Sequence, residues 1–247
     1  IIQNLPTVTS NLSKKLDDSY SRLECYINNL PYELMAPNAH SNLYYPRVEN
    51  VDTTIDLILS ERKSLVRFGD GEFSLMKNID RPKYQQTNPI LAERLAEVLT
   101  VELPDLLIGI ADNYGCLSDY THTDAQGIRE YLTLGERYFQ LSILSPEKTY
   151  YDARISRPYI MYNDKNTDRP ANHFLRLKEI WNNRDVILIE GSQTRAGVGN
   201  DLFSNTRSLK RIIGPATNAF DRYDELLYAA LDCATDDTLF LVALGPC

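Results

Sequence analysis

Two carboxylates, Asp70 and Glu72, stand one glycine apart in the stretch VRFGDGEF at residues 66–73. Both can approach a hard divalent cation, because Mg²⁺ commonly takes one or two protein carboxylates and fills its other positions with substrate phosphates and water. The glycine between them is expected to permit a sharp backbone turn. Asp-Gly is, however, also a common turn without any metal. By itself the triplet leaves a metal site and an acidic turn open.

Arg67 stands just before this triplet, at the end of the apolar run SLVRF. A strand-end arginine can bind a phosphate through two parallel hydrogen bonds, or it can pair with a neighbouring carboxylate and fix the loop. A charged side chain inside a predicted strand is costly to keep, which favours a use for it. Positive charge is thus expected beside the carboxylate pair.

A glycine-rich segment, EGSQTRAGVGND, occupies residues 190–201 after the clearest predicted strand. Its glycines let the backbone approach a ligand, and such a turn ahead of a helix exposes amides that suit an anion such as a diphosphate. Asn200 or Asp201 is expected to cap that following helix. The segment matches neither the dinucleotide fingerprint nor a P-loop. Glu190 is a candidate general base. An equally open alternative is a structural role, in which its carboxylate only accepts hydrogen bonds from loop amides.

Three other loops carry polar residues that could face a cleft. Asp112 lies in ADNYG after another predicted strand and is the second candidate for a general base. Arg157 lies in ISRPYIMYND and Asn218 in GPATNAFDRYDE. Read individually, the last two loops are more typical of a structural role than of a site.

Continuous apolar strands that alternate with amphipathic helices position these loops. The predicted strands are SLVRF, DLLIGIAD, TYYDARIS, DVILIEG, LKRIIGP and TLFLVAL, and the predicted helices include NPILAERLAEVL, DAQGIREYLTLGERYFQL, ANHFLRLKEIWNN and DRYDELLYAAL. This alternation predicts an α/β, Rossmann-like fold whose mostly parallel sheet has helices on both faces. Ligands bind such sheets at the carboxyl ends of the strands, where the polar loops fall.

Composition narrows the function further. The formal net charge of −8 argues against the nucleic-acid backbone as the main partner, because a polyanion would meet long-range repulsion. The four cysteines are scattered and no histidine stands near another ligand type at metal spacing, so neither structural zinc nor a disulfide framework is expected. A reducing cytoplasm fits this cysteine usage. No apolar run reaches the length of a membrane span.

The two ends of the chain differ from its middle. Residues 1–50 are polar and interrupted by prolines, so they are predicted to form a partly helical N-terminal extension, with the main domain at residues 51–247. The final stretch DDTLFLVALGPC predicts a buried strand and the start of a turn. A domain seldom ends there, so a C-terminal helix is expected to be missing.

The order of four segments resembles the GT-D glycosyltransferases. These segments are SLVRFGDGEF, SRPY, EGSQTRAGVGNDLF and RIIGPATNAFDRYDELL, and the resemblance runs from about Val51 to the end of the chain. It implies a Rossmann-like sugar transferase that uses a UDP-sugar and a divalent metal ion, Mn²⁺ or Mg²⁺, with a DxE motif. Asp70 and Glu72 match that motif as metal ligands. Of the two, Glu72 is favoured as the residue that contacts the metal directly.

The resemblance also assigns nucleotide-sugar-binding residues. They are Arg67, Gly69, Gly71, Arg157, Arg195, Gly199, Asn200, Asp201 and Asn218, and either Glu190 or Asp112 remains the candidate catalytic base. The expected acceptor is a glycan or glycoprotein of a bacterial surface or polysaccharide pathway. Metal-dependent phosphoryl or nucleotidyl transfer, and a non-catalytic nucleotide-sugar-binding module, stay open as alternatives.

The expected setting follows from the same reasoning. The protein is expected in the cytoplasm, brought to the inner face of the membrane only through partners. Either a homo-oligomer or a partner transferase is compatible with the sequence. Neither a nucleic-acid partner nor a transmembrane segment is expected.

Overall fold

The computed structural model describes residues 5–35, 44–81 and 83–247, and the side chains from residue 7 onward. The chain forms two compact units. The first unit comprises residues 1–47, 112–148 and 159–166, and the second comprises residues 48–111, 149–158 and 167–247. The domain boundary expected near residue 50 stays a prediction. The division into units is more complex than a single boundary, since the first unit also includes residues 112–148 and 159–166.

The second unit contains two sheets. The four-stranded sheet has the order β1-β4-β3-β2, with β1 at Arg47–Glu49, β2 at Ser64–Arg67, β3 at Leu106–Ile110 and β4 at Thr149–Asp152. Strand β3 pairs in parallel with β2 and with β4. The three-stranded sheet has the order β6-β5-β7, all parallel, with β5 at Asp185–Gly191, β6 at Ser208–Gly214 and β7 at Leu239–Ala243.

Helices cover these sheets and share a core with them. The helices of the second unit are α2 (Val51–Glu61), α3 (Asp70–Met76), α4 (Pro89–Thr100), α7 (Arg169–Ile180) and α8 (Tyr223–Asp232). A buried cluster joins α2, the 3-10 turn after β4, the C-terminal end of α7 and strand β5, and Leu65 of β2 packs against it. Its buried members are Ile55, Ile155, Leu177, Ile180, Trp181 and Val186. The α/β fold predicted from the alternating pattern is therefore confirmed, with its parallel strands divided between two sheets.

The first unit is helical among the described residues. It contains α1 (Leu5–Glu33), α5 (His122–Tyr131) and α6 (Leu134–Ile143). Its polar interior is centred on Asn29, whose side-chain amide donates to the carbonyls of Arg129 and Leu132 at 3.2 and 3.3 Å. No helix in the described ranges combines the length and the apolar character that a bilayer crossing requires.

Two predicted elements differ from the structure, and local hydrogen bonds explain both. The single helix predicted over DAQGIREYLTLGERYFQL is divided into α5 and α6, because the Thr133 side chain accepts from the Glu136 amide and begins a new helix. The strand predicted over TYYDARIS ends at Asp152, whose carboxylate accepts from the Arg154 amide and starts a 3-10 turn at Ala153–Ser156. The missing C-terminal helix stays a prediction.

Candidate functional site

The carboxylate pair lies on the first turn of α3, directly after strand β2. The backbone amide of Gly69 donates to the Glu72 carboxylate at 2.7 Å, so Glu72 caps the start of this helix. Neither Gly69 nor Gly71 has a positive φ. The prediction of a sharp turn between the carboxylates is therefore wrong, and a helix begins there instead. The helical start places Asp70 and Glu72 two residues apart on the first turn, a spacing at which side chains do not face each other. Both positions lie at the helix N-terminus, where acidic side chains complement the helix dipole.

Asp70 is held by a residue that follows α3. Arg81 pairs with the Asp70 carboxylate at 2.8 Å, and its backbone amide donates to the carbonyl of the buried Gln85 at 3.0 Å. The Asn218 side chain accepts from the Gln86 amide at 2.8 Å, and the Asn218 amide donates to the Tyr84 carbonyl at 2.8 Å. One loop therefore ties Asn218, which follows β6, to the carboxylate pair after β2.

Arg67 anchors the positive side of this region. Its guanidinium donates to the Ala153 carbonyl and to the Ser156 hydroxyl, both on the 3-10 turn that follows β4. Part of the side chain is exposed, but burial of the guanidinium lowers the pKa of Arg67, and the positive charge of Arg157 lowers it further. Glu72 acts in the opposite direction on that pKa. Arg157 and Glu72 therefore each lie within electrostatic reach of Arg67.

A buried ion pair of the three-stranded sheet binds the backbone of the glycine-rich segment. Glu190 ends β5 with 2% of its surface exposed and pairs with Arg211 of β6. Its other carboxylate oxygen accepts from the Ala196 amide at 3.3 Å, while Arg211 donates to the Ala196 carbonyl at 2.7 Å. Both oxygens of Glu190 are thus engaged in the loop, which is the structural alternative foreseen for it. Its part as a base stays a prediction.

The helix expected after this segment is absent, and the chain continues through turns to β6. The Asn200 side chain accepts from the Leu202 amide at 3.0 Å, as in a local Asx turn. Asp201 pairs with Lys178 at 2.9 Å, and this interaction lowers the pKa of the Asp201 carboxyl. The Leu202 carbonyl accepts from the Trp181 indole at 2.9 Å. These anchors to α7 take the groups that a helix start would use, so Asn200 and Asp201 cap no helix.

Gly197 and Gly199 both have positive φ values, of 70° and 79°. A Cβ on Gly197 would lie 2.4 Å from the Phe203 ring, whereas a Cβ on Gly199 would meet open space. We expect Gly197→Ala to lower the free energy of unfolding by about 2–4 kcal/mol, since it adds a ring clash to the left-handed strain that Gly199→Ala carries alone at about 1–2 kcal/mol. Urea denaturation of both variants measures the difference, and equal losses would contradict the described packing.

Arg195 and Asp112 complete the predicted set. Arg195 is exposed at the tip of the glycine-rich segment, where its carbonyl accepts from the Val198 amide at 3.1 Å. Asp112 is exposed in the first unit, shortly after β3, and its backbone carbonyl accepts from the Tyr120 hydroxyl at 2.7 Å. The roles assigned to both from the resemblance stay predictions.

The donor chemistry at Asp70 and Glu72 fits a hard divalent cation. Two carboxylates on one helical turn are the protein ligands that Mg²⁺ or Mn²⁺ commonly takes when substrate phosphates supply the rest. Within the described ranges, no three His, Cys, Asp or Glu side chains are grouped so that they could hold a metal by themselves. The arrangement therefore suits a metal shared with a phosphate-bearing ligand.

Two residues of the region were not singled out in the sequence. Arg81 pairs with Asp70, and Arg211 pairs with Glu190. For Arg211 the signal was available, because an arginine in the apolar strand LKRIIG needs a buried partner. Glu190 is a diagonal neighbour of Arg211 in the register that sets Leu188 opposite Arg211. Arg81 had no such signal, since it lies in a polar loop.

Comparison with known proteins gives one matching family model. It is the model described as glycosyltransferase GT-D fold, and it matches residues 65–247. Among curated proteins, a probable glycosyl transferase, Gly, of Streptococcus gordonii is 36% identical over 200 residues. The glycosyltransferase GlyD of Streptococcus pneumoniae serotype 4 is 33% identical over 201 residues. Each match covers 81% of this chain but only 28% and 24% of the relatives, so the chain spans about a quarter of their length.

Solved structures described as glycosyltransferases are also similar to this chain. A structure described as a new glycosyltransferase from Streptococcus sanguinis superposes with a TM-score of 0.73 at 33% identity, and covers 82% of this chain and 74% of that one. Another, described as a highly conserved domain of unknown function 1792 with a distinct glycosyltransferase fold, gives a TM-score of 0.72 at 34% identity. That match covers 81% of this chain and 71% of that one.

Proposed function

Because this chain belongs to the family of glycosyltransferases with the GT-D fold, we propose that it transfers a sugar from a UDP-sugar to a glycan acceptor with the help of a divalent metal ion. One observation supports this most strongly. Asp70 and Glu72 lie on the first turn of α3 at the carboxyl end of β2, and Arg67 lies within electrostatic reach of both Glu72 and Arg157. Carboxylates for a cation and arginines for an anion are what a metal-bound diphosphate requires.

Asp70 and Glu72 are the residues that would hold Mn²⁺ or Mg²⁺. Once bound, such an ion supplies positive charge that stabilises the leaving nucleoside diphosphate as the glycosidic bond breaks. Glu72 is the better direct ligand, since Asp70 is already paired with Arg81 at 2.8 Å. Arg81 in turn orients Asp70 beside it, which makes it a positioning residue in this proposal.

The arginines would receive the phosphate oxygens. Arg67 is fixed by its bonds to Ala153 and Ser156, so its other N–H donors can be aimed without further loss of side-chain freedom. Arg157 and Arg195 lie on exposed loops and add charge that a flexible side chain can bring to the donor. Gly199 keeps an uncovered backbone in the glycine-rich segment, where a ligand can approach closely.

The acceptor hydroxyl needs a base if the reaction inverts configuration. Glu190 is buried and engaged by Arg211 and by the Ala196 amide, whereas Asp112 is exposed shortly after β3. Exposure would suit a residue that must meet an incoming acceptor, and both residues remain candidates for the base. Asp112→Asn is expected to lower sugar transfer more than hydrolysis of the donor, because water needs less positioning than a glycan hydroxyl.

A screen of UDP-sugars with Mn²⁺ tests the proposal. We expect at least one donor to release UDP, and chelation of the metal to stop the release. Release of inorganic phosphate instead would favour phosphoryl transfer, and UDP binding that is metal-independent and without turnover would favour a binding module. Mass spectrometry of bacterial surface glycoproteins and polysaccharide fragments after the reaction identifies the acceptor, which is expected to gain one hexose.

A further inference from the structure

Helix α1 exposes an apolar stripe along its whole length. The helix has 29 residues, and eight large apolar side chains recur every three or four positions on or just beyond it with exposed fractions between 51% and 74%. They are Val8, Leu12, Leu16, Tyr20, Leu23, Ile27, Leu30 and Leu34. At 3.6 residues per turn, this spacing sets them on one face of the helix. Contiguous exposed apolar surface of this size marks an interaction site.

The opposite face of α1 is already used. Asn29 is buried, Glu33 pairs with Arg129 at 2.6 Å, and Arg137 donates to the Asn29 side chain. These contacts hold only the C-terminal part of the helix. Every residue from Thr7 to Glu24 is exposed, on all sides of the helix. A helix in a protein draws most of its stability from the packing of its apolar face. The apolar face of this part of α1 is exposed, so it lacks that stabilising contact.

We propose that the stripe of α1 packs against α1 of a second copy of the chain. An occupant must present an apolar stripe of similar length, and α1 itself is the matching element. Among the described helices, the longest after α1 are α4 and α7, with 12 residues each. Covering eight mostly exposed side chains on two copies removes on the order of 1,000 Å² or more from water, the size of a stable interface.

Charge does not oppose this pairing. Between Thr7 and Glu24 the helix carries Lys14, Lys15 and Arg22 against Asp17, Asp18 and Glu24, so the exposed part is neutral. Two copies therefore meet without net repulsion. The stripe itself contains no charged residue, and the contact is a continuous apolar seam flanked by both signs of charge.

Light scattering coupled to gel filtration tests the proposal on the whole chain at micromolar concentration. We expect a mass of twice 28.2 kDa for the unmodified protein. The double variant Leu16→Lys with Leu23→Lys is expected to halve that mass. The double variant Ser10→Lys with Ser21→Lys adds the same two charges away from the stripe and is expected to leave the dimer intact. A monomeric unmodified protein, or a dimer that survives the double variant, overturns the proposal.

Two measurements separate a lost interface from a lost fold. Trp181 is the single tryptophan and is buried in the second unit, so its fluorescence reports whether that unit stays folded in each variant. Leu16→Ala with Leu23→Ala keeps helix propensity while it removes apolar surface, and it is expected to raise the dissociation constant of the dimer at least tenfold. An unchanged constant in that variant contradicts the seam. Neither readout depends on the proposed sugar transfer.

Discussion

Replacing Glu72 with glutamine is expected to lower UDP-sugar turnover at least about 100-fold, because the substitution removes one of two carboxylates proposed to hold the metal. In the unmodified protein the Gly69 amide donates to Glu72 at 2.7 Å. Glutamine keeps a side-chain oxygen that can accept this hydrogen bond, so the helix cap is retained. The free energy of unfolding is therefore expected to change by less than about 1 kcal/mol. Steady-state kinetics at several Mn²⁺ concentrations, with urea denaturation of the same preparation, measure both quantities.

The controls for this variant identify the direct ligand. Glu93→Gln removes an exposed carboxylate of α4 in the same unit and is expected to leave turnover unchanged. Asp70→Asn is expected to lower turnover less than Glu72→Gln and to weaken metal affinity, because Asp70 is already paired with Arg81 and would share its carboxylate with the proposed metal. If Glu72→Gln retained full activity, Glu72 would not be a metal ligand. If Asp70→Asn were the more damaging change, Asp70 would be the direct one.

Replacing Arg211 with methionine is expected to lower the free energy of unfolding by about 3–5 kcal/mol, because it leaves the buried charge of Glu190 without its partner. The same change removes the donor to the Ala196 carbonyl, so the glycine-rich segment loses one of its two anchors to the sheet. We expect weaker UDP binding as well as lower stability. Urea denaturation measures the first effect and calorimetric titration of UDP with Mn²⁺ the second.

An exposed ion pair in the same sheet is the matched control. Arg207 pairs with Asp185, which lowers the pKa of that carboxyl to about 2, but both side chains are substantially exposed. Arg207→Met is therefore expected to cost much less stability than Arg211→Met, because solvent screens the exposed pair. Adding Glu190→Gln to Arg211→Met is expected to restore part of the lost stability, since no unpaired charge then remains buried. Equal losses for Arg211→Met and Arg207→Met would contradict the buried-pair interpretation.

Glu190→Gln alone separates the two roles considered for Glu190. A general base contributes about 10²–10⁴-fold to the rate, so loss of turnover on that scale, at unchanged UDP affinity, would assign Glu190 to catalysis. If Glu190 only supports the loop, UDP affinity and stability fall while the rate on bound donor stays near its original value. The structure favours the second result, because both carboxylate oxygens are already bonded.

Periodicity in the sequence determined most of the fold. Apolar runs such as DVILIEG and the helical spacing in DRYDELLYAAL predicted strand β5 and helix α8, because a buried parallel strand and an amphipathic helix each have their own pattern. The order of motifs identified the family. The stripe on α1 is likewise present in the sequence, where only a partly helical extension was predicted for it.

Contacts between distant residues were decided by the tertiary structure alone. That Asn218 holds the loop after Arg81, which itself pairs with Asp70, depends on chain segments far apart in sequence, such as the 135 residues that separate Phe220 from Gln85. Local patterns carry no information about such pairs, because periodicity reports which face of an element is buried and not what it meets there. Asp70 and Glu72 were therefore visible from the sequence as a carboxylate pair, while their helical placement, their cap and their arginine partners required the folded chain.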